Sequence, residues 1–283
     1  MIKINRYVTP RTTRFAQIGE ADENTCEVIF ALHGWGQLAG DFAEVMTPLA
    51  TEGRLIICPE ALSKFYVGFQ PRETGSSWMT SYDREYEIMD YVTYLDGLAE
   101  QVLADVPEHA HIIVFAFSQG CHTASRWIGN GVVKPKKMIL WGSDPAEDLG
   151  PEEWDAVSDI DHIQVVAGTM DRFVTGGKLQ RAEESLRDHQ CTFEIIRYEG
   201  GHHLQDSVLM DLFSSQEDSL ELKFGMGLSL RLPRDPSSLR EPSKTQRGGH
   251  RMVPAPQCFQ PVDAAYLRSI IILVNSPCGV LRR

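Results

Sequence analysis

Short apolar runs rich in β-branched residues punctuate the chain at residues 26–32 (CEVIFAL), 55–58 (LIIC), 112–117 (IIVFAF), 138–141 (MILW), 163–167 (IQVVA) and 193–198 (FEIIRY). None alternates cleanly between apolar and polar positions, which is the pattern of strands buried on both faces. Between the runs the period changes. Ile88, Val92, Leu95, Ala99, Val102 and Val106 recur at spacings of three and four, and so do Leu179, Ala182 and Leu186, so amphipathic helices are predicted there. Strands alternating with helices predict a mostly parallel sheet with helices on both faces, an α/β fold. Residues 12–18 add an edge strand. Residues 61–83 show neither period but carry Phe65, Tyr66, Phe69, Trp78 and Tyr82, and are predicted as a long loop over the sheet's edge.

Near Gly225 the pattern fails. Beyond it prolines crowd in at 233, 236, 242, 254, 256, 261 and 277, serine and arginine are frequent, and helical period disappears. A catalytic domain over residues 1–225, its compact part ending near 212–224, and a Pro/Arg/Ser-rich basic tail over 226–283, disordered or non-essential, are therefore predicted. The one apolar run of the tail, residues 270–274, is far too short to span a bilayer.

Composition narrows the class. At 283 residues, 42% hydrophobic and 23% charged, the chain has the make-up of a soluble enzyme with one large domain or two small ones. Residues 1–20 hold three arginines and a lysine but no long apolar run, so neither a signal peptide nor a membrane anchor is predicted, and a cytoplasmic location is the expectation. Six cysteines at 26, 58, 121, 191, 258 and 278 form no CxxC pair, which argues against a disulfide framework or a metal site and for small apolar fillers. The net charge of −12 is uneven, with 18 basic against 36 acidic side chains in residues 1–225 and 9 against 3 in the tail. An acidic catalytic region repels phosphate backbones and anionic lipid surfaces, so a small-molecule substrate is expected there rather than nucleic acid or membrane. The oligomeric state is open.

The chemistry concentrates at strand ends. Residues 116–120 (AFSQG) end an apolar strand and lead into a helical stretch with Ala124, Trp127 and Ile128, the strand-turn-helix setting of a nucleophile elbow at Ser118. Such a turn crowds the residues two before and two after the serine. Here Ala116 and Gly120 fill those places. Partners follow in the order serine, acid, histidine: Asp171 after the 163–167 run and His202, preceded by Gly200 and Gly201, after the 193–198 run. The histidine would take the serine proton, and the aspartate would fix its tautomer. Asp144, after the 138–141 run, is the rival acid, and His203 the rival base. Residues 32–37 (LHGWGQ) close the first strong strand where an oxyanion hole is built. Its amides are expected from Trp35 and Gln119, with His33 structural beneath the loop. The Gly34-Trp35-Gly36 string lacks the third glycine of a dinucleotide fingerprint.

The combination of LHGWGQ, FSQG, GTMDRFV and GGHHL resembles the phospholipase/carboxylesterase family of α/β-hydrolases, which includes the acyl-protein thioesterases, over about residues 25–212. Carried over position by position, the resemblance implies Ser118 as nucleophile, Asp171 as acid, His202 as base, Trp35 and Gln119 as oxyanion donors, and no metal or organic cofactor. It also implies that the loop bearing Asp144 and Pro145 lies near the acyl pocket. Gln37 stands where the family pattern has aspartate, Ala116 and Cys121 where it has glycine, and residues 61–83 do not match. The aromatic residues of that segment, Trp78 among them, either line a substrate pocket or anchor the loop. The expected function is a serine hydrolase of carboxylic esters or thioesters working through an acyl-enzyme. The rivals are a lipid hydrolase or peptidase on the same triad and a non-catalytic receptor of the same fold.

Overall fold

A computed structural model describes residues 1–68 and 73–214; the predicted tail, 226–283, and Phe69 lie outside the described residues. The strands are β1 (Phe15–Ile18), β2 (Glu27–Leu32), β3 (Arg54–Pro59), β4 (Ser63–Tyr66), β5 (Thr74–Ser77), β6 (His111–Phe117), β7 (Lys137–Trp141), β8 (His162–Gly168) and β9 (Phe193–Tyr198). The helices are α1 (Ala39–Met46), α2 (Arg84–Leu103), α3 (Gln119–Asn130), α4 (Pro151–Ser158), α5 (Gly176–Asp188) and α6 (Asp206–Phe213).

Seven strands form one sheet in the order β1-β3-β2-β6-β7-β8-β9. The edge strand β1 runs antiparallel to β3, and the remaining pairs are parallel. The six apolar runs are its parallel strands, and their lack of alternation has a direct cause: both faces are covered. Val28, Phe30, Leu32, Val114 and Leu140 pack on one face with Leu95 of α2, Trp127 of α3, Trp154 of α4 and Leu179 of α5. Their neighbours Ile29, Ala31, Phe115, Ile139 and Trp141 pack on the other face with Phe42 and Met46 of α1 and Leu209 and Leu212 of α6. Each of the larger side chains contributes about 1.5–3 kcal/mol on burial, which is what sets strand register and helix orientation. No helix among the described residues is long and apolar enough to cross a membrane.

Residues 61–83 depart from the expected loop. They contain an antiparallel hairpin in which Ser63 pairs with Ser77 and Tyr66 with Thr74. Its second strand, Thr-Gly-Ser-Ser, has no apolar alternation to betray it. Three of its four residues are buried because it docks on the loop after β2, where Gly36 N donates to Ser76 O at 2.8 Å and Ser76 N to Gln37 O at 3.2 Å.

Because β2, β6, β7, β8 and β9 are parallel, the residues that follow them emerge at one edge of the sheet. These are His33 to Gln37, Ser118, Gly142 to Asp144, Asp171 and His202, and the candidate site is there.

Candidate active site

Ser118 forms the turn between β6 and α3 at φ 53°, ψ −116°, a conformation that costs a non-glycine residue of order 1–3 kcal/mol. Its surroundings hold it. Ser118 N donates to Trp141 O at 2.8 Å, and Cys121 N donates to Ser118 O at 3.0 Å. Gly120 is required by close approach, since a Cβ there would lie 2.4 Å from Leu32 O and 2.8 Å from His33 O. Ala116 sits instead in the middle of the sheet, paired with Leu32 and Leu140, where its methyl group is part of the packed core.

His202 Nε2 lies 2.8 Å from Ser118 Oγ and its Nδ1 lies 2.7 Å from Asp171 Oδ2. A carboxylate can only accept, so Nδ1 carries the proton and Nε2 is left to accept from the serine hydroxyl. The other carboxylate oxygen, Asp171 Oδ1, accepts from Phe173 N at 2.8 Å. The imidazole is held between the rings of Phe117 and Phe173, with centroids 5.0 and 4.7 Å away. His203 is exposed, its carbonyl 2.6 Å from the Tyr198 hydroxyl, so the adjacent histidines occupy different environments.

The loop after β2 runs beside the serine: a Cβ on Gly34 would lie 3.2 Å from Ser118 Cβ. Gly34 N donates to Gln37 Oε1 at 2.7 Å, so glutamine supplies the turn-closing acceptor at the place where the family pattern has aspartate. His33 is fully buried. Its Nε2 accepts from Ala61 N at 3.1 Å, so Nδ1 donates to Gly34 O at 2.7 Å. Burial pushes its pKa below the ordinary value against the opposing pull of that bond and of Glu60, keeping the ring neutral. Trp35 is 58% exposed and packs against Phe65 of β4, the ring centroids 4.9 Å apart and the planes tilted by 31°. As the first residue of α3, Gln119 has an amide with no intrahelical acceptor.

No protein-family model matches the sequence, and no curated protein sequence matches it. Solved structures do. Zea mays acyl-protein thioesterase 2 is similar at a TM-score of 0.55 and 18% identity, covering 71% of this chain and 96% of its own. YahD, solved with malic acid, is similar at 0.54 and 17%, with coverage of 71% and 96%. The Bacillus cereus carboxylesterase is similar at 0.54 and 12%, with coverage of 71% and 91%. The fold is that of the α/β-hydrolases.

Within this α/β-hydrolase fold the two remaining predicted site residues take places of their own. Trp78, expected on the substrate side or as an anchor, is an anchor: it is 1% exposed, its indole N–H donates to His33 O at 2.8 Å, and its ring lies 5.1 Å from that of His33. It is a strut under the loop and no wall of the cleft. Asp144 makes no hydrogen bond to His202. Its Oδ1 accepts from Lys178 Nζ at 3.0 Å and from His122 Nε2 at 3.1 Å. Desolvation would raise its pKa, but the bonds to His122 and Lys178 outweigh it and hold the carboxyl down to about 2. A cavity of about 400 Å³ beside it is lined by Glu147, Trp154, Arg181 and His189 and by none of Ser118, Asp171 and His202.

Sequence reasoning missed several side chains that contact His202, Asp144 or residues 77–79. His122 is four residues on along α3, a spacing that places it one turn above the serine on the same face. Lys178 is set by the start of α5, where Thr175 accepts from Lys178 N. Phe173 and Gln119 lie within the GTMDRFV and FSQG segments, but nothing there signalled a role for either side chain. Buried Cys58 and Cys121 behave as fillers, their thiols raised by desolvation, Cys58 to about 12. Among the described residues no three His, Cys, Asp or Glu side chains gather in a way that could hold a metal ion.

Proposed function

We propose that the protein hydrolyses carboxylic esters or thioesters through an acyl-enzyme formed on Ser118. The observation that carries this reading is the unbroken hydrogen-bond chain from Asp171 through His202 to Ser118, set on a strained turn at a helix N-terminus. Ser118 Oγ attacks the carbonyl carbon while its proton passes to His202 Nε2, and Asp171 stabilises the imidazolium that results. The oxyanion is received by the backbone amides of Trp35 and Gln119. Collapse breaks the bond to the alcohol or thiol, which leaves with the proton from Nε2. Water then repeats the sequence on the acyl-enzyme and frees Ser118.

Exposed Trp35 and Phe173 border this chain of residues; Met170, next to Asp171 in sequence, and Tyr66, next to the Phe65 that packs on Trp35, are exposed as well. They favour a substrate with an apolar acyl chain or leaving group. The fold shared with an acyl-protein thioesterase and a carboxylesterase is consistent with that class. A fluorophosphonate probe tests the proposal: one equivalent is expected on Ser118 of the full chain, together with turnover of a panel of oxygen esters and thioesters of graded chain length. Folded protein that neither labels nor turns over any member would be a receptor of this fold.

A further inference from the structure

The two amides assigned to the oxyanion hole come from segments far apart in the chain, the loop after β2 and the first residue of α3. Both are tied to the same short strip, residues 76–79. On one side Gly36 N donates to Ser76 O at 2.8 Å, the Ser76 hydroxyl donates to Gln37 O at 2.8 Å, and the Trp78 indole donates to His33 O at 2.8 Å. These bonds flank Trp35 in sequence. On the other side the strip meets the Gln119 side chain. Gln119 Oε1 accepts from Trp78 N at 3.1 Å, and its Nε2 donates to Met79 O at 2.9 Å. Ser77 Oγ lies 3.0 Å from Nε2 and 3.2 Å from Oε1. Ser76, Ser77 and Trp78 are all at most 2% exposed, so the strip is fixed within the molecule.

We infer that the Gln119 side chain is a positioning group for its own backbone amide. Clamped to residues 77–79, it holds the start of α3 in register with a strip that also holds the Trp35 loop, so that β5 and its extension gauge the separation of the two donors. The carboxamide is suited to the task, because a planar group with an acceptor on one side and donors on the other can bond a main-chain N–H and C=O at once. A loop that merely covered the site would need no such bidentate anchor. The inference rests on the reaction proposed above and deepens it, since oxyanion stabilisation depends on donors held at the oxyanion's final position and not at the ground-state carbonyl.

The test is Gln119→Met, which keeps the backbone amide and the length of the side chain but removes its hydrogen bonds, with Ser77→Ala as the milder second variant. Steady-state hydrolysis and inhibition by a trifluoromethyl ketone, which forms a hemiketal oxyanion on the serine, are measured for each. For Gln119→Met, kcat is expected to fall about 10- to 100-fold, a fraction of what deletion of a whole donor costs. KM is expected to stay within about threefold, and the ketone's inhibition constant to rise in proportion to the loss in kcat/KM. Ser77→Ala is expected to fall in the same direction by less. Unchanged kcat in a folded Gln119→Met protein, or a loss confined to KM with ketone affinity retained, would overturn the inference. If Gln119→Met does not fold, the Ser77→Ala result decides it by the same criteria. Failure of the underlying reaction is distinguishable, because the wild-type protein would then show neither turnover nor ketone binding.

Discussion

Gly142 offers a sharp test of the geometry around His202. It follows β7 at φ +73°, and a Cβ there would lie 3.1 Å from His202 Cε1, 3.2 Å from Nδ1 and 3.3 Å from Phe117 Cε2. In Gly142→Ala the left-handed backbone costs about 1–2 kcal/mol. The methyl also sits inside the usual 3.5–4.0 Å carbon contact distance, so the imidazole must withdraw by a few tenths of an ångström. Movement towards exposed Phe173, on the side away from Phe117, draws it off hydrogen bonds of 2.7 and 2.8 Å. A misplacement of 1 Å costs about 10²-fold in rate, so kcat is expected to fall roughly 10-fold, with KM little changed. At about 2–4 °C per kcal/mol for a domain of this size, Tm is expected to drop by about 3–8 °C. The companion is Gly53→Ala. Gly53 has φ +75° and would place its Cβ 3.0 Å from Asn24 O and Cys26 Sγ, at the start of β3 and so at the far edge of the sheet. It carries the same backbone strain without touching His202. The assay is hydrolysis of a p-nitrophenyl ester beside a thermal melt of each variant. The reasoning is refuted if Gly142→Ala keeps wild-type kcat, or if both variants lose kcat equally.

Further expected outcomes concern single side chains, pH and the tail. Ser118→Ala should lower kcat by on the order of 10⁴ to 10⁶ with the fold intact, and a tenth of wild-type activity in steady-state hydrolysis would contradict the nucleophile assignment. His202→Ala should cost on the order of 10⁴ or more, whereas His203→Ala should cost less than about tenfold in the same assay; reversed losses would exchange the two roles. Asp144 titrates at about 2 in the folded chain against an ordinary 3.8, so the unfolded chain takes up its proton first as pH falls. Its stabilising contribution, about 2 kcal/mol, is complete above about pH 4 and is lost as pH falls through about 2. Denaturant melts of wild type and Asp144→Asn should therefore differ at pH 7 and converge towards pH 2, and a gap that persists at pH 2 would refute the linkage. Deleting residues 226–283, a stretch without the apolar period needed to bury a face, should leave kcat unchanged and Tm within about 5 °C; a larger drop would count against the proposed domain boundary.

The apolar runs alone were enough to place the six parallel strands and to show that both faces of the sheet are covered, because burial acts on each residue separately and leaves its mark as composition and period. The order of Ser118, Asp171 and His202 was legible for a related reason: each follows a recognisable strand, and parallel strands present their ends at one edge. What the sequence left open were choices between partners. Asp144 and Asp171 each follow a buried strand, and the sequence favoured Asp171 only through its place before the strand that leads to His202 and through the resemblance of its surroundings. In the folded chain Asp171 meets His202, while Asp144 is claimed by Lys178 of α5 and His122 of α3. The hairpin β4–β5 was equally hidden, since Gly75 to Ser77 are buried by docking on residues 36 and 37 and not by any apolar pattern of their own. Trp78 has the same amino-acid type whether it lines a cleft or props a loop. Only the position of the His33 carbonyl decides between the two, and that position depends on contacts between segments more than forty residues apart, which no local period records.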